Sequence, residues 1–288
     1  MRNNLLYFSV FLVALTIPFS LFAKSDFNGF YVGGAVGGSF LTAQQQTASQ
    51  IIVDFPVDTL GNRVRTTVPN SLVANLNDSS TIGTLFAGYG LNINQLYVGA
   101  EAFFAFSNYK SNNVGNSVTE QFLQLNNQTY HINNNWEINS TLNNQYGLDI
   151  RPGILIKPEM LVYGRVGFAR TKVSLSSNLQ GTTVYIASGS KSDNDFTLLS
   201  TINTYKTGLH VGGGFEYHLN AKYAIRLDYT HATYSNINTT GTLTKPITSS
   251  VGTLGFRLNE GTLTATNTAT VQSMSCNAVA FGVSYYFG

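Results

Sequence analysis

Residues 277–288 read Asn-Ala-Val-Ala-Phe-Gly-Val-Ser-Tyr-Tyr-Phe-Gly, and the architecture of the whole chain can be worked out from this stretch. Large apolar side chains occupy every second position: Val279, Phe281, Val283, Tyr285 and Phe287. The positions between them are small from Ala278 to Ser284. Side chains of a β-strand alternate between two faces, so the pattern predicts a strand with one bulky apolar face and one thin face. Lipid outside and a narrow packed interior inside explain both faces, whereas a soluble sheet would have a polar second face.

A stretch of the same build, Phe30–Phe40, lies near the other end of the chain. Its large residues also alternate with Gly, Ala and Ser. Two such strands at opposite ends of a chain can pair with each other, which closes a sheet and removes both of its edges. We therefore expect the first and last strands to be neighbours in a closed barrel.

Six further alternating segments lie between these two, and the connections alternate between short and long. The eight strands are predicted at 29–40, 80–91, 95–109, 145–157, 160–175, 205–219, 222–236 and 276–288. Short turns fall at 92–94, 157–159 and 220–222, and long segments rich in Asn, Thr, Ser and Gln fall at 41–79, 110–144, 176–204 and 238–274. The sequence thus predicts an all-β protein: a closed antiparallel eight-stranded transmembrane β-barrel with short periplasmic turns and four long extracellular loops. Because these loops contain few large apolar residues, we expect them to be dispensable for folding.

The composition excludes several other classes of protein. Charged residues make up 10% of the chain, far below the roughly 25% of soluble domains. Mean hydropathy is +0.02, too low for a bundle of membrane-spanning helices, and aromatic content is too high for a disordered chain. The net charge of +2 is too small to indicate a basic nucleic-acid-binding surface. The single cysteine, Cys276, can form no internal disulfide and belongs to no metal motif, and we expect no cofactor.

The first 23 residues have the features of a secretory signal peptide. Arg2 gives a positive start, Leu5–Phe22 is predominantly apolar, and Leu21-Phe22-Ala23 can serve as the cleavage site. The alternative is a single N-terminal membrane anchor. We assign residues 1–23 to a signal peptide of an exported protein and residues 24–288 to the barrel domain.

Charged residues within the predicted strands fall almost entirely on the inner face. They are Glu101, Asp149, Arg151, Arg165, Glu216, Arg226 and Asp228. Because buried charges must be paired, one interpretation is a network that fills the lumen, joined by the inward His210 and His218. The alternative is a very narrow gated ion path. Alignment of the two strands across the 220–222 turn further predicts that Glu216 and Arg226 form a cross-strand ion pair.

Three stretches resemble the small eight-stranded outer-membrane barrels of the OmpA-like and opacity-protein type. They are Phe27-Asn28-Gly29-Phe30-Tyr31-Val32-Gly33-Gly34, Leu227-Asp228-Tyr229-Thr230, and the last strand ending in Phe287. The resemblance covers the whole mature chain. It implies a monomer in the cell outer membrane, in contact with lipid and lipopolysaccharide, whose loops contact host or surface ligands, as in adhesion. A porin-like narrow pore is the alternative role.

His231 raises a third possibility, a lipid-modifying enzyme. It lies on the lipid-facing side of its strand near the external rim, which resembles outer-membrane lipid A deacylases. Their pattern places Ser two residues after His, where this chain has Thr233, with Ser235 two residues further on. A hydroxyl nucleophile also needs a base that a third group orients, and no carboxylate lies nearby on this face. We therefore expect no enzymatic activity and interpret His231 as a polar residue of the interfacial girdle.

Overall fold

The computed structural model describes residues 27–56, 63–123, 128–187, 190–250 and 257–287, and ten β-strands account for almost all of these residues. In chain order they are β1 (Gly29–Pro56), β2 (Arg63–Ile93), β3 (Leu96–Phe106), β4 (Tyr109–Leu123), β5 (Gln128–Lys157), β6 (Met160–Ala187), β7 (Ser190–His218), β8 (Tyr223–Tyr234), β9 (Ile237–Ser250) and β10 (Arg257–Tyr286). The predicted signal peptide lies outside the described residues. Among the described residues, no helix is long and apolar enough to cross a membrane.

Eight of the strands close into an antiparallel ring in the order β1-β2-β3-β5-β6-β7-β8-β10, and β10 pairs back onto β1. Tyr31 lies opposite Tyr286 in that final ladder, so the two ends of the chain meet as the sequence predicted. The backbones of β1 and β10 approach so closely that a Cβ atom on Gly37 would collide with the carbonyl oxygen of Val279. The predicted closed eight-stranded barrel is confirmed.

Side chains of the membrane-spanning segments alternate between lipid and lumen. On β3, Leu96 is 62% exposed and its neighbour Tyr97 only 1%, and the alternation continues to the end of the strand. On β10, Val279 and Phe281 face outward, whereas Ala278 is buried. These outward faces form the apolar band that hydrocarbon requires. The short turns also lie where predicted, and the first contains Asn94 with φ of 59°, a left-handed conformation that asparagine tolerates well.

The long connections on the external side differ from the irregular loops that their composition suggested. Most of their described residues continue the strands of the barrel, so that β1 runs to Pro56 and β2 begins at Arg63. The strands β4 and β9 continue β3 and β8 beyond short breaks at 107–108 and 235–236. Polar residues predominate in these segments because their outward faces meet water, while apolar residues alternate with them toward the inside.

Beyond the membrane the ring separates into two sheets. The backbone ladders link β9-β10-β1-β2 on one side and β4-β5-β6-β7 on the other. Within the described residues no ladder joins β2 to β4 or β7 to β9. Side chains close these borders instead: the Asp78 carboxylate accepts the Lys110 backbone N–H at 2.9 Å, and the Lys206 Nζ donates to the Asn236 carbonyl at 2.8 Å. We call this two-sheet extension the head.

The head has an apolar core of its own, separate from that of the barrel. One sheet contributes residues from β1 and β10, the other residues from β5, β6 and β7. The members are Ile51, Val53, Trp136, Leu179, Phe196, Leu198, Leu263 and Ala265. Each hairpin therefore buries apolar side chains against the opposite sheet. Shortening a single connection would expose the core of the rest, whereas the dispensability of the connections for folding of the barrel itself stays a prediction.

Candidate functional site

The seven charged residues that the sequence analysis assigned to the lumen all lie inside the barrel. Their side chains project from β3, β5, β6, β7 and β8 toward the barrel axis, and each is no more than 7% exposed. Strand alternation places them there because each shares its parity with the small inward residues of its own strand. Together they form one connected network of ion pairs.

Glu101 is the centre of this network. Its carboxylate accepts hydrogen bonds from Arg151 at 3.0 Å, Arg165 at 2.7 Å and Arg226 at 2.8 Å. The Tyr31 hydroxyl adds a fourth donor at 3.1 Å, while it accepts a bond from Arg151 at 2.6 Å. A carboxylate surrounded by three guanidinium groups is fully paired, which is the condition for burying it.

Asp149 and Asp228 accept hydrogen bonds from the remaining guanidinium donors. Asp149 pairs with Arg165 at 2.7 Å, and the His210 Nδ1 lies 2.9 Å from the same carboxylate. Asp228 accepts from the Arg226 Nε at 2.6 Å and from Arg165 at 3.3 Å. The seven charged residues of the network are four carboxylates and three guanidinium groups. Its formal charge is then −1.

The predicted pairing of Glu216 with Arg226 is correct in register and wrong in partner. The two residues lie directly opposite each other on β7 and β8, as predicted. In the described chain, however, Glu216 pairs with Arg151 at 2.8 Å, and Arg226 extends to Glu101 and Asp228. A guanidinium on a long side chain reaches across a narrow lumen, so the opposing strand position does not fix its partner.

Aromatic side chains complete the filling of the lumen. The guanidinium of Arg151 lies 3.8 Å from the Tyr163 ring centre, and that of Arg226 lies 3.9 Å from the Phe86 ring centre. Phe27 and Tyr286 pack against His218 toward the short-turn end. A void of about 30 Å³ remains beside the network, room for only about one or two water molecules.

Sequence reasoning missed three tyrosines that belong to the network. Tyr31 bonds Glu101, the Tyr163 hydroxyl donates to Asp228 at 2.5 Å, and the Tyr286 hydroxyl donates to Glu216 at 3.0 Å. All three share the inward parity of their strands, which is the signal that could have identified them. Buried phenol groups usually take a hydrogen-bond partner, so an inward Tyr among carboxylates is a predictable member of such a network.

His231 lies on the outer face, as predicted, in a different kind of cluster. Its Nδ1 is 2.8 Å from the Oδ1 atom of Asn277 on β10, and the Tyr229 hydroxyl donates to the same oxygen at 2.9 Å. Thr233 is the exposed residue two positions further along β8. The group that meets the His231 ring is thus a neutral amide oxygen, where a Ser-His-Asp triad has a carboxylate.

Cys276 is buried and lies 3.0 Å from the Tyr109 hydroxyl. Across the described ranges, no group of three His, Cys, Asp or Glu side chains is arranged to hold a metal ion.

Comparisons with known proteins agree with the architecture. A family model described as outer membrane protein beta-barrel domain matches residues 9–287. A search of curated proteins finds no match.

Solved structures of outer-membrane barrels are similar to the chain at low sequence identity. OprG of Pseudomonas aeruginosa is 14% identical, with 91% of this chain and 99% of that chain covered and a TM-score of 0.37. Ail of Yersinia pestis, an attachment invasion locus protein, is 12% identical, with 86% and 98% covered and a TM-score of 0.28. The protease OmpT of Escherichia coli is 11% identical, with 88% and 97% covered and a TM-score of 0.30. Similarities this low carry no information on function.

Proposed function

The chain belongs to the outer membrane protein beta-barrel domain family, and from that membership we propose that it is a non-enzymatic cell-surface protein. In this proposal the barrel is a closed anchor in the outer membrane, and the head binds ligands outside the cell. The observation that carries the proposal is the apolar core shared by the two sheets of the head. A packed core makes the head a rigid binding platform rather than a set of independent loops.

The connection between head and barrel supports the same role. Six of the strands run from the membrane into the head without interruption, so the platform has no flexible linker. A rigid platform loses little conformational entropy when it binds, which favours affinity.

The outward faces of the head indicate what chemistry a ligand would meet. On β9 and β10 these faces carry opposed threonines, with Thr240 and Thr268 bonded at 3.1 Å and Thr244 and Thr264 at 3.3 Å. The neighbouring outward positions of β1 include Gln46 and Gln50, which extends the same uncharged surface. We therefore propose that ligands are recognised through hydroxyl and amide groups, so that binding should depend little on salt concentration.

The test compares the full chain with a barrel from which the whole head has been removed. All four hairpins must be shortened together, because removing one would expose the core of the others. Two-residue turns would join the strands at facing ladder positions: Thr42 to Asn77, Tyr109 to Leu142, Lys172 to Tyr205, and Ile237 to Val271. Cells displaying each protein are then assayed for adherence to epithelial cells and to glycan-coated surfaces.

We expect the full chain to support adherence and the trimmed, heat-modifiable barrel to support none. Equal adherence with both proteins would contradict a binding role for the head. Planar-bilayer recording separates the competing role as a pore: the full chain should conduct no current, because the lumen is filled by paired charges. Steady conductance would instead indicate that the protein is a pore.

A further inference from the structure

Two exposed cations lie side by side where β6 leaves the membrane. Arg170 and Lys172 face outward, about ten residues from the turn that begins β6, which is the number of residues a tilted strand needs to cross the hydrocarbon. The outward residue just before them is the apolar Phe168, and the one after them is Ser174. Arg170 therefore lies at the external boundary of the apolar band and Lys172 immediately above it.

These cations differ from the seven charged residues of the lumen, which are buried and paired. In the described part of the chain, neither Arg170 nor Lys172 takes part in an ion pair. Their outward neighbours on β5 and β7 are Tyr146, Thr207 and Tyr205, none of them acidic. The Arg170 guanidinium instead lies 5.0 Å from the centre of the Tyr205 ring, which holds it against the outer surface.

An apolar groove of about 910 Å³ runs along the outer surface directly below. The outward residues that line it include Ala100, Ala102, Leu148, Phe168 and Leu209. Leu148, Phe168 and Leu209 are the next outward residues on the membrane side of Tyr146, Arg170 and Thr207, on β5, β6 and β7 respectively. A lipid in the outer leaflet has its anionic group at the membrane boundary and its hydrocarbon chains below. Such a molecule would place its anionic group beside the two cations and its chains in the apolar groove.

We propose that Arg170, Lys172 and Tyr205 form a binding site for the phosphate of an outer-leaflet glycolipid, whose acyl chain lies in the groove below. The lipid A part of lipopolysaccharide has this chemistry. Arg is suited to phosphate because its planar guanidinium donates two parallel hydrogen bonds, and basic residues at membrane boundaries recognise anionic head groups. The site lies on the barrel and does not depend on what the head binds, so it can be tested separately from the proposed function.

The experiment titrates the refolded full chain in lipid-free detergent with bisphosphorylated lipid A and counts bound copies by native mass spectrometry. The test variant is Arg170→Gln with Lys172→Gln. The matched control, Lys157→Gln with Lys222→Gln, removes two exposed cations at the opposite, short-turn rim. All four side chains are exposed, so heat-modifiable folding should be retained. Should the double variant fail to fold, the single Lys172→Gln variant gives the same comparison.

We expect apparent affinity for lipid A to fall about tenfold or more in the test variant, because each boundary cation contributes to anionic-lipid binding, and to change less than about twofold in the control. Tyr205→Leu should give a smaller loss, since both charges remain. Lipid A stripped of both phosphates should bind the unmodified chain as weakly as intact lipid A binds the test variant. The proposal is overturned if the test variant binds within twofold of the unmodified chain, if the control loses as much, or if pyrophosphate at equal concentration displaces the lipid.

Discussion

Replacing Arg151 should destabilise the barrel more than replacing Glu216, although the two side chains form one buried ion pair. Arg151 pairs with two carboxylates, those of Glu101 and Glu216. In the described chain, Glu216 pairs with one cation, Arg151. Arg151→Met leaves the Glu216 carboxylate buried, with the Tyr286 hydroxyl as the donor that remains to it among the described residues. Removing one partner of a buried pair costs about 3–5 kcal/mol.

Glu216→Gln should cost less, about 1–3 kcal/mol, the range for a buried donor left without its acceptor, here the Nη2 of Arg151. The amide oxygen still accepts from Tyr286, and Arg151 keeps its ion pair with Glu101. The substitution also brings the formal charge of the network from −1 to zero, whereas Arg151→Met brings it to −2. The difference between the two variants therefore follows from the connectivity of the network.

Urea unfolding in phospholipid vesicles, with the folded fraction read from the gel mobility of unboiled samples, measures both losses. The double variant Arg151→Met with Glu216→Gln should lose less than the sum of the single losses, by about 0.5–3 kcal/mol. The same cycle for Glu216→Gln with Arg226→Met should show the smaller coupling, because those opposed residues bond to other partners. Lys157→Gln at an exposed turn is the control and should change stability by less than about 0.5 kcal/mol. Equal or larger coupling for Glu216 and Arg226 would refute the connectivity described above.

Three further predictions concern the head, the barrel closure and the outer face. Trp136→Ala should destabilise the head by about 3–5 kcal/mol, because it leaves a cavity in the core. The head should then become sensitive to protease while the barrel stays heat-modifiable. The outward Thr264→Ala is the control, and equal protease resistance of the two variants would contradict a packed head. Gly37→Ala should block closure between β1 and β10 and lower the folded yield. Gly38→Ala is the control and should fold normally, because a Cβ atom at Gly38 would have no neighbour within 4 Å. Similar yields for the two variants would mean that β1 and β10 can move apart. His231→Ala should leave the acyl pattern of lipid A unchanged by mass spectrometry, and a deacylated species that disappears in this variant would assign the protein to the enzymes.

The sequence predicted the barrel well because its signals are local. Alternation of large and small residues in 277–288 fixes both faces of one strand, and a one-residue slip would turn every side chain to the wrong side. The same parity placed Glu101, Arg151 and Arg226 in the lumen. Short turns such as 220–222 link neighbouring strands, so the register of Glu216 opposite Arg226 also followed from the sequence.

The head was not predicted, although its strands carry the same alternation. In 262–270, threonines alternate with Leu263, Ala265, Asn267 and Ala269, a weak pattern because all the inward residues except Leu263 are small or polar. A solvated outward face gives a polar composition that resembles a loop. Ile51 and Trp136 are far apart in the chain and belong to opposite sheets, so only the closed ring could bring them into one core.

The sequence by itself therefore determined which way each strand side chain points, since that depends on a period of two along the backbone. The tertiary structure alone decided which inward groups meet. Arg151 on β5 bonds Glu101 on its neighbouring strand and also Glu216 two strands away on β7, because closure of eight strands brings the inward faces within reach of a long guanidinium side chain. The partners in the lumen and the core of the head are consequences of that closure, and no local pattern along the chain encodes them.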